Sequence, residues 1–244
     1  MKTKSFIILL ILLSSWVQAK DALLIPQSLL DQVESGNSEV AFFIAKSYLD
    51  GSDNYEIDNE QALVWLEKAA TMGSAQAMIT LADEYHRKEQ QKEALAWYQK
   101  AAALGVGEAF GKIGNYHMEG AADLDKDCHA AYEWFEKAEV REVKLAFNNH
   151  AWYLTTSSDK NCRNPEKALA VYYKMKSLYD AESDEIPWSF WDTEAAVLAG
   201  ISDYSGAVKL QKWLIEEVKS YNVDFTNYQL HLDQYLLRKP WIEK

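Results

Sequence analysis

Ala62-Leu63-Val64-Trp65-Leu66-Glu67-Lys68-Ala69-Ala70 is the stretch whose recurrence decides the fold. It returns as Ala94-Leu95-Ala96-Trp97-Tyr98-Gln99-Lys100-Ala101-Ala102 and as Ala131-Tyr132-Glu133-Trp134-Phe135-Glu136-Lys137-Ala138. Ala168-Leu169-Ala170-Val171-Tyr172-Tyr173-Lys174 and Ala207-Val208-Lys209-Leu210-Gln211-Lys212-Trp213 are weaker echoes. The leading alanines stand 32, 37, 37 and 39 residues apart. A helical phrase at that period cannot bury its apolar face alone and does so by stacking on its neighbours. The chain therefore reads as all-α: an α-solenoid of about five helix-turn-helix repeats in a right-handed superhelix, with a capping helix at each end.

Working outward from the phrase, each repeat should hold a first helix, a turn, and a second helix that carries the Trp and Lys-Ala. The first helix of repeat one covers about Glu39 to Leu49, and Gly51 turns the chain. Asp58 caps the second helix and Gly73 ends it. Repeat two runs from Ala75 to Gly105, with an inner turn at Arg87 to Gln91. Repeat three starts near Glu108 and turns at Gly120, and its loop spans Ala121 to Asp127. In repeat four, Asn164-Pro165 is a cap followed by proline at the first helical position. Repeat five opens at Ser189 with Asp192 three residues on, a capping-box pattern, and its second helix covers Tyr204 to Ser220. The array spans 39–222. A capping helix near Gln27 to Glu34 lies within 20–38. A second, amphipathic through Tyr228, Leu232, Tyr235 and Leu236 and closed by Pro240, lies within 223–244.

The first 19 residues read as a secretory signal peptide. Lys2 and Lys4 precede the apolar run Phe6–Leu13, and Val17 and Ala19 occupy the small-residue positions before a cut after Ala19. That run is too short to span a bilayer, so the expected location is periplasmic or secreted, without membrane insertion after cleavage. The net charge of −12 argues against nucleic acid as a partner, since phosphate binding needs concentrated Lys and Arg.

Repeats one to three resemble Sel-like repeats, relatives of tetratricopeptide repeats. Ala41-x3-Ala45-x2-Tyr48-x2-Gly51 is similar to the family's first-helix pattern. The Trp-Lys-Ala-Ala phrase that ends in Gly73 or Gly105 is similar to its second. Asn148-Asn149-His150-Ala151-Trp152 followed by Asn164-Pro165, and Asp192-Thr193-x-Ala195-Ala196 followed by Asp203-Tyr204, are closer to ordinary tetratricopeptide repeats. Repeat two lacks the glycine after Tyr85, and repeat three ends in Glu139-Val140-Arg141 without one. The resemblance implies a protein-interaction scaffold with no activity of its own.

In such arrays the first helices line the inner face. With one small residue in each as reference, the positions expected to line a protein-binding groove are Glu39, Phe42, Lys46, Gln76, Ile79, Asp83, Glu108, Asn115, Asn148, Trp152, Phe190 and Thr193. Amides, aromatics and charges on a rigid surface suit an extended peptide or a helix. Trp65, Trp97 and Trp134 share one register and read as core between repeats. No catalytic phrase, phosphate loop, cofactor motif or spaced metal-ligand set is present: His86, His117, His129, His150 and His231 are scattered. The expected partner is therefore a protein or peptide of the cell envelope, the alternative being cell-envelope ligands such as cell-wall fragments. Cys128 and Cys162, each placed in the loop before a second helix, are expected to pair as a disulfide between repeats three and four, with free thiols the alternative.

Overall fold

The computed structural model describes residues 25–182 and 184–243; the expected signal segment, 1–19, lies outside them. Among these residues there are twelve α-helices and no strand. They are α1 (Gln27–Glu34), α2 (Ser38–Asp50), α3 (Asn59–Thr71), α4 (Ala75–Arg87), α5 (Gln91–Ala103) and α6 (Gly107–Glu119). There follow α7 (Cys128–Glu139), α8 (Lys144–Thr156), α9 (Pro165–Glu182), α10 (Trp188–Gly200), α11 (Tyr204–Ser220) and α12 (Thr226–Leu236). Helices α2 to α11 form five consecutive antiparallel hairpins, one per expected repeat, and the fold is an all-α solenoid. It divides into two compact units, residues up to 104 and residues from 105 onward. None of the described helices is long and apolar enough to cross a membrane.

Alanines on both helices of each hairpin, with large side chains packed between them, build the core. Ala41, Ala45, Ala62, Ala69, Ala94, Ala101, Ala131 and Ala138 have no exposed surface, so paired helix backbones approach closely. Leu66, Tyr98 and Phe135 are equally buried. Each is the residue after the tryptophan of its phrase. Trp65 sits at the edge of the core, and Trp97 and Trp134 are only half-buried. The reading of these tryptophans as core holds for Trp65 and is corrected for Trp97 and Trp134, whose neighbours Tyr98 and Phe135, 100° further round the helix, face inward instead. Each tryptophan lies under the lysine three residues on. Lys68, Lys100 and Lys137 place Nζ 4.9, 3.5 and 3.8 Å from the ring centroids of Trp65, Trp97 and Trp134. The spacing of Trp and Lys in the phrase is that of a cation–π pair on one helix face.

Helix starts follow the capping residues. Asp58 accepts from the amides of Glu60 and Gln61, and Asp127 from those of His129 and Ala130. Asn164 accepts from Lys167, behind Pro165. Repeat five departs from its expected cap. α10 begins at Trp188 after Pro187, with no side-chain cap. Ser189 is already helical, and Asp192 turns inward to other partners.

The disulfide forms as expected between repeats three and four: Cys128 and Cys162 are bonded with Cα atoms 5.9 Å apart. Cys162 lies in a short 3₁₀ turn, Lys160–Cys162. Cys128 is the first residue of α7, one step inside the helix rather than in the loop before it. The Tyr132 hydroxyl donates to the Cys162 carbonyl at 2.7 Å and holds the same junction.

Candidate partner-binding face

The second unit brings its first helices, α6, α8 and α10, together with α12. Beyond the first residue of α8, its half-buried side chains are Asn149, Trp152 and Tyr153, whose three- and four-residue spacing puts them on one face. Asn149 Nδ2 donates to Asn115 Oδ1 of α6 at 3.2 Å. Burial, followed by the Glu119 and Glu243 carboxylates, pushes the Tyr153 phenol well above its ordinary range, so it stays a neutral donor.

The chain's own segment 239–243, irregular in backbone, lies across the end of this face. The Glu243 amide donates to the Thr156 carbonyl at 2.8 Å. Thr156 is the last residue of α8, where helix carbonyls have no intrahelical partner. The Glu243 carboxylate accepts from Trp152 Nε1 at 2.5 Å. Trp241 stands 4.4 Å from His231, which in turn stands 5.6 Å from Trp152, centroid to centroid. His231 is held from behind. Its Nδ1 lies 2.9 Å from Asp192 Oδ1, an acceptor, and so carries the proton and donates. The same oxygen accepts from Gln211 Nε2 at 2.8 Å, and Gln211 also donates to the Tyr228 carbonyl. Trp152, Ser189, Asp192, Asn227, Tyr228 and His231, with Trp241 and Glu243, enclose an open cleft.

A histidine bonded to a carboxylate is half of a nucleophile-activating pair. Here His231 and Asp192 are 6% and 7% exposed, and both tryptophans stand against the imidazole. The pair braces α10 against α12. A second buried histidine, His150, bonds Glu139 and packs near Phe135 and Tyr132. No group of metal-ligating side chains occurs among the described residues.

The expected groove positions divide by burial. In the first unit Phe42 is half-buried and Lys46, Gln76 and Glu39 are exposed. Ile79 is buried in the core, and Asp83 accepts from the Tyr98 hydroxyl at 2.5 Å, closing its own hairpin. In the second unit Glu108 is exposed, and Asn115 and Trp152 are half-buried. Asn148, Phe190 and Thr193 are buried: Phe190 packs edge-on against Tyr179, and Thr193 donates to the Ser189 carbonyl of its own helix. The open positions are their neighbours. Asn149 is half-buried beside Asn148 and Ser189 is exposed beside Phe190, whereas Asp192, beside Thr193, lines the cleft but is itself buried. On α10 both Ala195 and Ala196 are buried, and taking the second as reference moved the inner register by one residue. The tail contacts at Trp241 and Glu243 had no signal beyond Pro240 as a helix stop.

Among protein families, the Sel1 repeat matches the chain in three places, residues 38–74, 76–106 and 112–139. These are the hairpins α2–α3, α4–α5 and α6–α7; the match ends before α8. Proteins built from this repeat are generally protein–protein interaction scaffolds. Among solved structures, a Sel1 repeat protein from Oxalobacter formigenes is 28% identical, over 50% of this chain and 94% of that one, with a TM-score of 0.46. A protective antigen of uropathogenic Escherichia coli displaying an SLR fold is 22% identical, over 86% of this chain and 40% of that one, with a TM-score of 0.47. No curated protein matches.

Proposed function

We propose that this Sel1 repeat protein is an exported, non-catalytic adaptor. It binds an extended segment of another envelope protein on the face made by α6, α8 and α10. The observation that carries this reading is the chain's own segment 239–243, lying on that face as a bound peptide would. It donates a main-chain N–H to an orphaned helix carbonyl, sets a carboxylate on the Trp152 indole, and stacks a ring beside His231. These are the elements of extended-peptide recognition, main chain for affinity and side chains for register. A partner takes the place of 239–243, with Asn115, Asn149 and Ser189 supplying polar contacts.

Export is supported by the leader pattern of residues 1–19 and by the Cys128–Cys162 bond, which suits an oxidising compartment. The non-catalytic role is supported by the burial of the His231–Asp192 pair beneath aromatic rings. Affinity capture from solubilised envelope is the test, with the mature protein and an Asn149→Ala/Trp152→Ala variant run side by side. A protein retained by the first and lost by the second, at unchanged helical content, fits the reading. Equal retention by both moves the binding surface elsewhere.

A further inference from the structure

A second cleft, on the other side of the last hairpin, is walled by aromatic rings. Trp213, Glu217 and Tyr221 follow one another at four-residue intervals along one face of α11 and its C-cap. Trp188 and Trp191, in the first turn of α10, face them. The Trp188 and Tyr221 centroids are 5.2 Å apart, and those of Trp191 and Trp213 are 5.5 Å apart with the rings near perpendicular. Pro187 and Glu185 complete the rim. Trp213 is 46% and Tyr221 64% exposed, a large amount of open aromatic surface for one corner of a soluble domain.

The floor of this box is charged. Glu217 is half-buried, and no described residue bonds or ion-pairs with its carboxylate. A part-desolvated carboxylate between two aromatic rings is short of a cation. The chain shows what its tryptophans accept: a lysine ammonium lies over Trp65, Trp97 and Trp134 in turn. Lys176, which is not part of the cleft's lining, places Nζ 4.6 Å from the Trp191 ring. Its charge is answered by Glu194 at 3.2 Å, which leaves that of Glu217 over.

We propose that the cleft of Trp188, Trp191, Trp213, Glu217 and Tyr221 is a receptor for an arginine side chain of a partner protein. The guanidinium stacks on an indole face and donates two N–H groups to the Glu217 carboxylate. Arginine fits better than lysine because its planar, weakly hydrated cation gives up less water on entering an aromatic wall and matches a carboxylate with two parallel bonds. The surplus negative charge of the chain, −12, draws such a segment in.

The test uses the mature protein and four probes: a capped peptide with one central arginine, its citrulline and lysine counterparts, and tetramethylammonium. Indole N–H signals, assigned by single Trp→Phe substitutions, report binding. The arginine peptide should shift the signals of Trp188, Trp191 and Trp213 and bind more tightly than lysine, while citrulline leaves them in place. Glu217→Gln should weaken arginine binding about tenfold, the effect of losing one charge-assisted contact. Trp152→Ala should change nothing, which separates this site from the α8 face. Equal response to arginine and citrulline, an unaltered affinity in Glu217→Gln, or a response to tetramethylammonium alone would overturn the assignment.

Discussion

In the first three repeats four of the six helix corners are left-handed glycines, Gly51, Gly73, Gly105 and Gly120, with Glu89 and Glu142 at the other two, whereas in the last two repeats the left-handed corners fall to Ser202 and Asn222. The interiors differ in the same way. Buried alanines with large apolar and aromatic residues from both helices hold the early hairpins. The later ones are laced by polar groups: Glu194 with Tyr172, Tyr173 and Lys176, and Asp192 with Gln211 and His231. Where the repeated phrase is strong, backbone geometry and small residues carry the stack. Where it fades, particular side-chain bonds take over, and those to Tyr172, Gln211 and His231 are expensive to break because a buried partner is left unpaired. The disulfide sits between the two regimes. Repeat three lacks a terminal glycine, and Glu142 takes the left-handed corner there with φ 57°.

The comparison rests on which residue of the phrase is core, and α7 tests that with two neighbours. Phe135 has no exposed surface and fills the space over Gly114, where an added Cβ would come within 2.7 Å of its ring. Phe135→Ala should cost about 3–5 kcal/mol in denaturant unfolding. Trp134→Ala, removing a half-buried ring beneath Lys137, should cost about 1–2 kcal/mol. Equal losses would restore the tryptophan to the core and break the register.

The seam between the two regimes comes next. Reducing Cys128–Cys162, which closes a loop of sequence separation 34, should lower stability by about 3–4 kcal/mol on the loop-entropy model. Hydrogen exchange should rise in α7 and α9 while the exchange of α2 and α3 stays unchanged. Uniform loosening of both compact units would show that the bond does not act locally.

The smallest effect concerns the corner itself. Glu142 holds a conformation that costs an L-residue about 1–2 kcal/mol, of which glycine would return part after its own entropy penalty. Glu142→Gly should therefore raise stability by about 0.5–1 kcal/mol. No change, or a loss, would mean that the glutamate side chain matters more than its backbone.

Much of this was legible in the sequence. Caps and breakers bracket Gln27–Glu34, Asn59–Thr71 and Tyr204–Ser220, so those helices could be read closely, and loop placement together with expected export pointed to the disulfide. Three things were not legible, each for a physical reason. A repeat period fixes which residues are equivalent but not which of two adjacent ones points inward, so Trp97 was read for Tyr98 and Asn148 for Asn149. Ser189 and Asp192 match a capping box, but the helix is capped two residues earlier, at Pro187, which frees Asp192 for Gln211 and His231. Glu243 meets Trp152 across 91 residues of sequence, beyond the reach of any local pattern.

That last contact is where the account is most exposed. The most direct measurement takes the full chain with Trp241→Ala and Glu243→Ala, which strips the α8 face of the segment's anchoring side chains, and titrates it with a peptide of residues 238–243, Arg-Lys-Pro-Trp-Ile-Glu. Indole fluorescence and calorimetry follow the binding. The account predicts saturable binding in trans, marked by a change at Trp152, absent when Trp152→Ala is added and much weaker in the unaltered chain, whose own segment competes. If the stripped chain does not bind the peptide, or binds it equally well without Trp152, segment 239–243 is only a cap on the solenoid and the face at α8 is not a peptide site.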